Sequence, residues 1–491
     1  MEFSEDQRQA RDTIATRLRA AGIDIDSGGH GPPPREGPAS VLAVLGKAGS
    51  GKTALLVNIA AALEAAGLEP IGGDYEPRRT RARRSYAVLA PTNKAASVLR
   101  ARKVQATTLH RILYIPVYDP EFEKIAKWLT AADAPRPNVE GLDDALLDRI
   151  REFYDMHGSV PGALAIAGLS GSDFITGWTR RDEPLDVALV DEASMLDQRQ
   201  LDDLKEVFST LILFGDPAQL APVGQSGAMV FEALDEASKP MLSRIHRQSA
   251  DNPILDLAHA LRDGIDFDDF EREIERAAAK DERIVVAPRV DPDLMARAPI
   301  LVWRNATRLR LIQAFRTVHD APEAALLPGE PLICDGIELP LKHRKKRIDL
   351  EARGLIKGAQ AIYLGPGKRK GFARLHVAGA EAPTISAAAI IKIEAPDREE
   401  PIIASAARMG AVFVHGAATT IHKAQGSQWP AVQIFAPDIY AAARSGRMEA
   451  GAPLWRRLAY VAATRAEERL IWVARYRMAR PARALGVADL G

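Results

Sequence analysis

A glycine-rich loop of eight residues lies between a predicted strand and a predicted helix near the N-terminus. Residues 46–53 read Gly-Lys-Ala-Gly-Ser-Gly-Lys-Thr, after the apolar run 41–45 and before an alanine- and leucine-rich stretch that ends at Leu63. This GxxxxGK[ST] pattern is a phosphate-binding loop, in which glycines let successive backbone N–H groups turn toward phosphate oxygens. Because the motif requires a strand before it and a helix after it, it predicts an α/β fold here.

The loop predicts binding of a nucleoside triphosphate. Its predicted nucleotide-binding residues are Gly46, Lys47, Ala48, Gly49, Ser50, Gly51, Lys52 and Thr53. We expect Lys52 to reach the outer phosphates and the Thr53 hydroxyl to ligate Mg²⁺.

Length and charge limit the class of protein. At 491 residues the chain is too long for a single hydrophobic core and suits two to four domains. Lys and Arg number 65, as do Asp and Glu, so any nucleic-acid partner must be held by local basic patches. Two basic clusters occur: Arg78, Arg79, Arg81, Arg83 and Arg84 in one loop, and Lys342, Arg344, Lys345, Lys346 and Arg347 in another. A solvated surface loop explains either cluster on its own at least as well.

The single cysteine, Cys334, excludes a disulfide framework and fits a reducing compartment. No apolar run approaches the roughly 18 residues that a membrane-spanning helix needs. We therefore expect a cytoplasmic protein without a membrane partner.

Continuous apolar runs separated by helical patterns predict parallel strands that are covered on both faces. The first set is 41–45, 86–90, 185–190 and 210–214, and the second is 284–287, 300–303, 411–414, 432–435 and 470–473. Helical stretches accompany them, among them 6–21, 252–262 and 306–316. The predicted fold is α/β, with two doubly wound parallel-sheet domains at residues 1–240 and 241–491.

Two segments interrupt this alternation, and we interpret both as insertions. Residues 115–182 carry two helical patterns, at 122–130 and 142–156. Residues 335–407 carry short β-type runs at 361–364, 372–377 and 388–393, as in a small barrel.

Polar residues follow two of the predicted strands. Asp191 and Glu192 come directly after the run 185–190, where open α/β sheets bind ligands. We expect Asp191 to hold Mg²⁺ together with Thr53, and Glu192 to orient or deprotonate an attacking water. Gln219 follows the next strand and carries an amide that can sense a γ-phosphate.

Several motifs together resemble the ordered set of the superfamily 1 helicases, closest to the RecD-like superfamily 1B branch. They are VDEASML at 190–196, GDPAQLAPV at 215–223, TTIHKAQGS at 419–427 and YVAATRA at 460–466. The resemblance implies two RecA-like domains with ATP hydrolysed in the cleft between them. It further implies a DNA helicase that translocates 5′-to-3′ on single-stranded DNA, with an SH3-like barrel as the second insertion.

The resemblance also assigns site residues. Arg247 and Arg465 match the arginines that the family places against the γ-phosphate, which makes them predicted catalytic residues with Lys52, Glu192 and Gln219. Gln7 matches the adenine-reading glutamine. An N-cap at Ser4 followed by a surface helix is the alternative interpretation of that segment.

The predicted nucleic-acid contacts are Pro91, Thr92, Asn93, Thr108 and His110 in the first domain and Asn305, His422 and Lys423 in the second. Trp303, Trp429 or Tyr460 could stack on bases, although burial is the commoner fate of such aromatics.

The chain departs from the family at two places. Gln428 stands where the family usually carries Glu, so a sugar contact is not assigned there. The insertion after His110 is longer and more helical than the expected β-hairpin, so no strand-separating pin is assigned. The aromatic candidates for a pin are Phe122, Trp128, Phe153, Tyr154, Phe174 and Trp178.

The predicted partners are single-stranded DNA and tailed duplex DNA, bound by a monomer. Two alternatives stay open from the sequence: an RNA-directed superfamily 1 helicase, and a nucleic-acid-stimulated ATPase clamp that remodels partners without unwinding.

Overall fold

The computed structural model describes residues 3–32, 37–47, 49–72, 84–118, 120–131, 133–139, 142–157, 163, 175–181, 184–220, 229–243, 252–339, 350–351, 353–378, 380, 383–405, 407–449 and 451–487. Ala48, Arg247, Phe174 and most of both basic clusters lie outside these residues. Every helix in the described part of the chain is too short or too polar to cross a bilayer.

Seven parallel strands form the first sheet. Their spatial order is Met241–Leu242, Ser40–Gly46, Phe208–Gly215, Leu185–Val190, Ser85–Ala90 and Glu69–Ile71, with Ala106–Thr108 also paired to Ser85–Ala90. Leu42 and Val44 pack into the core on one face, and Ala43 and Leu45 into the core on the other. This two-sided burial explains the continuous apolar runs and confirms all four predicted strands.

Helices cover the first sheet at Glu5–Ala20, Lys52–Ala65, Asn93–Ala101, Leu109–Leu113 and Gln198–Val207. Short 3₁₀ helices lie at Ala193–Met195 and Glu236–Ser238, and a two-stranded ribbon pairs Ile23–Asp24 with Gly29–His30. The strand register pairs Gly215 with Leu45 and Leu213 with Val190. The carboxyl ends of the central strands therefore meet at one edge.

The first insertion is a helical unit on a two-stranded stem. Tyr114–Tyr118 pairs antiparallel with Ile175–Arg180, and between them lie the two predicted helices, observed at Pro120–Thr130 and Asp144–His157. Of the aromatic pin candidates, Trp128 is buried in the core of this unit, with Phe153 and Tyr154 packed against it. Those three side chains stabilise the insertion.

The second sheet has five parallel strands, in the order Ile284–Ala287, Ala466–Val473, Trp429–Phe435, Ile300–Val302 and Ala418–Thr420. Its helices are Pro253–Arg262, Phe267–Lys280, Pro292–Met295, Asn305–Val318, Ala436–Arg444 and Leu454–Ala463, and Met448–Glu449 pairs with Ala452–Pro453. The predicted strand at 411–414 is wrong for this sheet. Ala418–Thr420 occupies that position beside Ile300–Val302.

The segment at 411–414 belongs instead to a small barrel. Its strands Phe372–Val377, Gln360–Pro366, Pro331–Glu338, Gly410–His415 and Thr384–Ile393 close on themselves, and Ile402–Ile403 pairs with the last of them. The barrel strands thus extend beyond the predicted 335–407 segment at both ends. The domain boundaries and the SH3-like classification stay predictions.

Candidate active site

The phosphate loop is held in shape by close packing at its start. Gly49 and Gly51 adopt φ angles of 82° and 84°, which favour glycine. A Cβ atom on Gly46 would lie 2.5 Å from the Ser50 hydroxyl oxygen and 3.0 Å from Leu242 Cβ. Only glycine fits at position 46 without a shift of the Ser50 hydroxyl or of Leu242.

Lys52 begins the helix after the loop, and its ammonium group donates to the carbonyl oxygens of Gly46 at 2.6 Å and Lys47 at 2.8 Å. The buried Ser50 hydroxyl has no hydrogen-bond partner in the described residues. A buried polar atom without a partner is costly, and a phosphate oxygen would satisfy it. The loop therefore fits the triphosphate that the sequence predicts.

Gln7 lies against the same loop. Its carboxamide accepts a hydrogen bond from the Ser4 backbone N–H at 3.1 Å and donates to the Ser50 carbonyl at 3.3 Å. These contacts agree with the N-cap interpretation and also tie the first helix to the phosphate loop. The adenine contact of Gln7 stays a prediction.

Asp191 and Glu192 follow the central strand Leu185–Val190. Burial, reinforced by the neighbouring Glu192, raises the pKa of Asp191, and Lys52 is among the cations that oppose this shift. Glu192 has a φ angle of 52°, a left-handed conformation that costs free energy for a side chain with Cβ. Strain of this kind is common where a side chain must be aimed at a reacting group.

Gln219 reaches this pair from the next strand. Its carboxamide Nε2 donates to Glu192 Oε2 at 3.2 Å. Ser194 joins the two segments, because its hydroxyl accepts from the Asp216 N–H at 2.8 Å and donates to the Asp216 carbonyl at 2.9 Å. The structure therefore brings the predicted Glu192 and Gln219 together.

Side chains of the second sheet's helices reach the loop that carries Gln219. The Tyr460 hydroxyl donates to Asp216 Oδ2 at 2.7 Å, and the Arg457 guanidinium donates to the carbonyl oxygens of Pro217 and Gln219. Gln425 donates to the Leu220 carbonyl at 3.4 Å. The candidate site thus lies where a loop of the first sheet meets the Leu454–Ala463 helix beside the second sheet.

Arg465 directly precedes the Ala466–Val473 strand and is buried, with 5% of its surface exposed. Its guanidinium donates to the carbonyls of Val461 and Ser427 and to the Thr464 hydroxyl, at 3.0 to 3.1 Å. To contact a phosphate as predicted, Arg465 would have to give up some of these hydrogen bonds. Arg247 lies outside the described residues.

The predicted nucleic-acid contacts fall on strand ends and helix starts. Thr92 caps the Asn93–Ala101 helix by accepting from the Ala95 N–H at 3.2 Å, and Thr108 precedes the helix that contains the exposed His110. A Cβ on Gly426 would lie 3.6 Å from the Thr92 hydroxyl oxygen. The first-sheet loop at 91–93 therefore adjoins the second-sheet loop that carries the partly buried His422 and the exposed Lys423.

Asn305 begins a helix whose entry is fixed by a buried carboxylate. Asp438 is fully buried and accepts from the backbone N–H groups of Trp303 and Arg304, each at 2.9 Å. Asn305 is exposed and accepts from the Arg308 guanidinium at 2.7 Å. This network explains how the loop before the helix is shaped.

Two of the aromatic stacking candidates are buried. Trp429 is 5% exposed and Tyr460 is 3% exposed, both within the core of the second sheet. They are unavailable to bases, so burial decides against that interpretation. Trp303 is partly exposed.

Arg84 is the one described member of its basic cluster, and it is 5% exposed. It pairs with Asp186 at 2.8 Å and donates to the Ala21 carbonyl at 2.8 Å. Its inclusion in a basic surface patch was therefore wrong. The charge is compensated inside the first sheet's domain.

A family model described as an AAA domain matches residues 36–284, just over half of the chain. The chain belongs to this family. A second model, the UvrD-like helicase C-terminal domain, matches residues 415–473. Together the matches confirm the prediction of a superfamily 1B helicase, an ATP-dependent enzyme, while the RecD-like branch stays a prediction. No curated protein matches the chain.

Solved helicase structures are similar to this AAA-domain helicase at low identity. A Pif1 helicase from Candida albicans is 16% identical over 97% of this chain and 95% of its own, with a TM-score of 0.50. A Bacteroides Pif1 helicase in complex with ADP-AlF3 and single-stranded DNA is 15% identical over 100% and 95%, with a TM-score of 0.46. The Candida match supports the two RecA-like domains.

In this helicase, sequence reasoning missed four residues of the site. Ser194 and Asp216 lie inside recognised motifs, but neither had an assigned role. Arg457 lies outside the motifs, and the sequence suggests only a base-stacking role for Tyr460. Arg457 and Tyr460 lie on one face of the Leu454–Ala463 helix, yet helical spacing alone does not show what that face contacts.

Proposed function

We propose that this helicase is a monomeric motor that hydrolyses ATP between its two RecA-like domains, moves 5′-to-3′ along single-stranded DNA and unwinds tailed duplexes. One observation carries the proposal. The Gln219 loop contacts Glu192 in the first domain and also Arg457 and Tyr460 in the second. Chemistry at Glu192 is thereby linked to the relative position of the domains.

In the hydrolytic step, Glu192 orients the attacking water and accepts its proton. Lys52 exchanges its bonds to the Gly46 and Lys47 carbonyls for bonds to the outer phosphates, and the Ser50 hydroxyl gains a partner. Thr53 and the buried Asp191 carboxylate would hold Mg²⁺, which neutralises phosphate charge when bound. Arg247 and Arg465 are proposed to approach the γ-phosphate on closure.

Movement along a DNA strand follows from two neighbouring DNA-binding loops, one in each domain. The loop at 91–93 belongs to the first domain and the loop of His422 and Lys423 to the second, and Gly426 places them side by side. Closing and opening of the cleft changes the distance between these loops. The DNA strand moves when one loop binds it tightly while the other releases it. The DNA substrate and the direction follow from the family resemblance.

The test is ATP turnover with matched DNA and RNA strands over a range of salt. We expect stimulation by DNA of any sequence, which weakens as salt rises because phosphate contacts release counterions. Lys52→Ala should abolish this turnover. Stimulation by RNA alone would support an RNA-directed helicase, and turnover without displacement of a tailed duplex would support a remodelling clamp. Undiminished turnover in Lys52→Ala would contradict the motor.

A further inference from the structure

The contact between the Leu454–Ala463 helix and the Gln219 loop has a consequence for catalysis. Arg457 and Tyr460 lie three residues apart and share one face of the helix. They are 7% and 3% exposed. Both side chains are therefore largely shielded from water where they meet the first domain, and hydrogen bonds there have well-defined geometry.

Tyr460 fixes the start of the loop through Asp216. One carboxylate oxygen of Asp216 accepts the Tyr460 hydroxyl at 2.7 Å, and the other accepts the Ala218 N–H at 3.0 Å. The Asp216 backbone is held on both sides by the Ser194 hydroxyl. Tyr460, a side chain of the second domain, thus stabilises the turn of the first domain that begins at Asp216.

Arg457 fixes the end of the same turn. Its Nη1 donates to the Pro217 carbonyl at 3.0 Å and to the Gln219 carbonyl at 2.5 Å, while its Nε donates to the Glu449 carbonyl at 2.8 Å. Gln219 therefore has its backbone held by the second domain and its carboxamide bonded to Glu192. A shift of Arg457 would move Gln219 relative to Glu192.

We propose that Arg457 and Tyr460 are positioning residues for ATP hydrolysis, which hold Gln219 against Glu192 when the two domains are in contact. This inference rests on the proposed function. Neither residue touches the reacting atoms in this assignment. They act through Gln219, so their loss lowers turnover because catalysis is sensitive to small errors in the placement of a catalytic group.

The experiment measures kcat and KM for ATP, with saturating single-stranded DNA, in Tyr460→Phe and Arg457→Lys. Tyr460→Phe removes one hydroxyl, and Arg457→Lys keeps the charge but loses the planar fork. We expect kcat to fall about tenfold in each, with little change in KM. Arg456→Met is the matched control, because Arg456 lies on the same helix and places its guanidinium over the Trp455 ring of its own domain, 5.7 Å from the centroid.

A double-mutant cycle separates positioning from general loosening of the interface. In a Gln219→Ala background, Tyr460→Phe should lower kcat by less than about twofold, because the residue through which it acts is gone. An equal loss in both backgrounds, or an unchanged kcat in the single variant, would overturn the inference. If Arg457→Lys fails to fold, Tyr460→Phe alone decides. Absence of strand-stimulated ATPase in the wild type would instead contradict the proposed function.

Discussion

The Gln219 carboxamide donates to the Glu192 carboxylate at 3.2 Å, across 27 residues of sequence. The two residues meet because their strands are neighbours in the first sheet and end at the same edge. Among the described residues of the site, Glu192 alone combines two features. Its backbone is strained, and its side chain is bonded to Gln219, which follows the neighbouring strand. This pairing supports the proposed role of Glu192 as the catalytic base.

Glu192→Gln should lower ATP turnover by about a thousandfold while nucleotide affinity stays near that of the wild type. Glutamine keeps the shape of the side chain and can still accept from Gln219, but it is not a base. Steady-state turnover and binding of a fluorescent nucleotide check the two parts. Turnover within about tenfold of the wild type would exclude Glu192 as the base.

Gly46→Ala should reduce nucleotide affinity at least about tenfold, because the added methyl group would displace the Ser50 hydroxyl or Leu242 and so disturb the start of the phosphate loop. Gly29→Ala is the control, since a Cβ there meets no atom within 4 Å. Nucleotide titration of both variants makes the comparison. Equal affinities would show that the loop accommodates the methyl group.

Arg84→Met should lower the free energy of unfolding by about 2 kcal/mol, because Asp186, whose side chain is only 15% exposed, would lose its cationic partner and keep, among the described residues, only its hydrogen bonds from Ser85. Arg19→Met removes an exposed pair with Asp26 and should cost no more than about 1 kcal/mol. Urea unfolding measures both. Weaker single-strand binding with unchanged stability in Arg84→Met would restore the surface-patch interpretation.

The sequence predicts the central strands of both sheets, because strands that are buried on both faces consist of continuous apolar runs. It does not predict the short strands Glu69–Ile71, Ala106–Thr108, Met241–Leu242 and Ala418–Thr420. The same rule fails for the run at 411–414. Strand Gly410–His415 lies within the barrel, where it pairs antiparallel with Pro331–Glu338 and parallel with Thr384–Ile393. It is almost fully buried, so it has the same continuous apolar pattern as the strands of the second sheet. Apolar content reports burial and not the sheet to which a strand belongs.

Motifs predict the chemistry of the site better than its contacts. Gly46, Lys52 and Glu192 are recognisable because their roles require particular residue types at fixed spacing. The Tyr460–Asp216 bond joins residues 244 positions apart, and a single sequence contains no local pattern that reports it. The burial of Arg84 is hidden for the same reason, since Asp186 lies far along the chain.

A buried cluster at the base of the barrel should make stability depend on pH. Glu330 is fully buried and accepts from Arg316 and from His415 Nε2, each at 2.9 Å. The Ala417 N–H donates to His415 Nδ1 at 3.2 Å, so the proton of the neutral ring lies on Nε2. Burial lowers the pKa of His415 below its usual value, although Glu330 opposes the shift.

Because the folded pKa is lowered, the unfolded state binds more protons between the folded pKa and the unfolded value of 6.5. The contribution of His415 to stability is present above the unfolded value and is lost as the pH falls. We expect a lower melting temperature at about pH 5.5 than at about pH 7.5, with a smaller difference in His415→Gln. A pH dependence that is the same in both proteins would exclude His415 as its source.

Strand displacement from 5′-tailed and 3′-tailed DNA duplexes in the presence of ATP tests the motor most directly. We predict displacement from the 5′-tailed duplex, little from the 3′-tailed duplex, and none from either with Lys52→Ala. The contradicting result is a wild-type protein whose ATPase responds to single-stranded DNA but which displaces neither duplex. That result would contradict the central claim that closure of the two domains unwinds DNA.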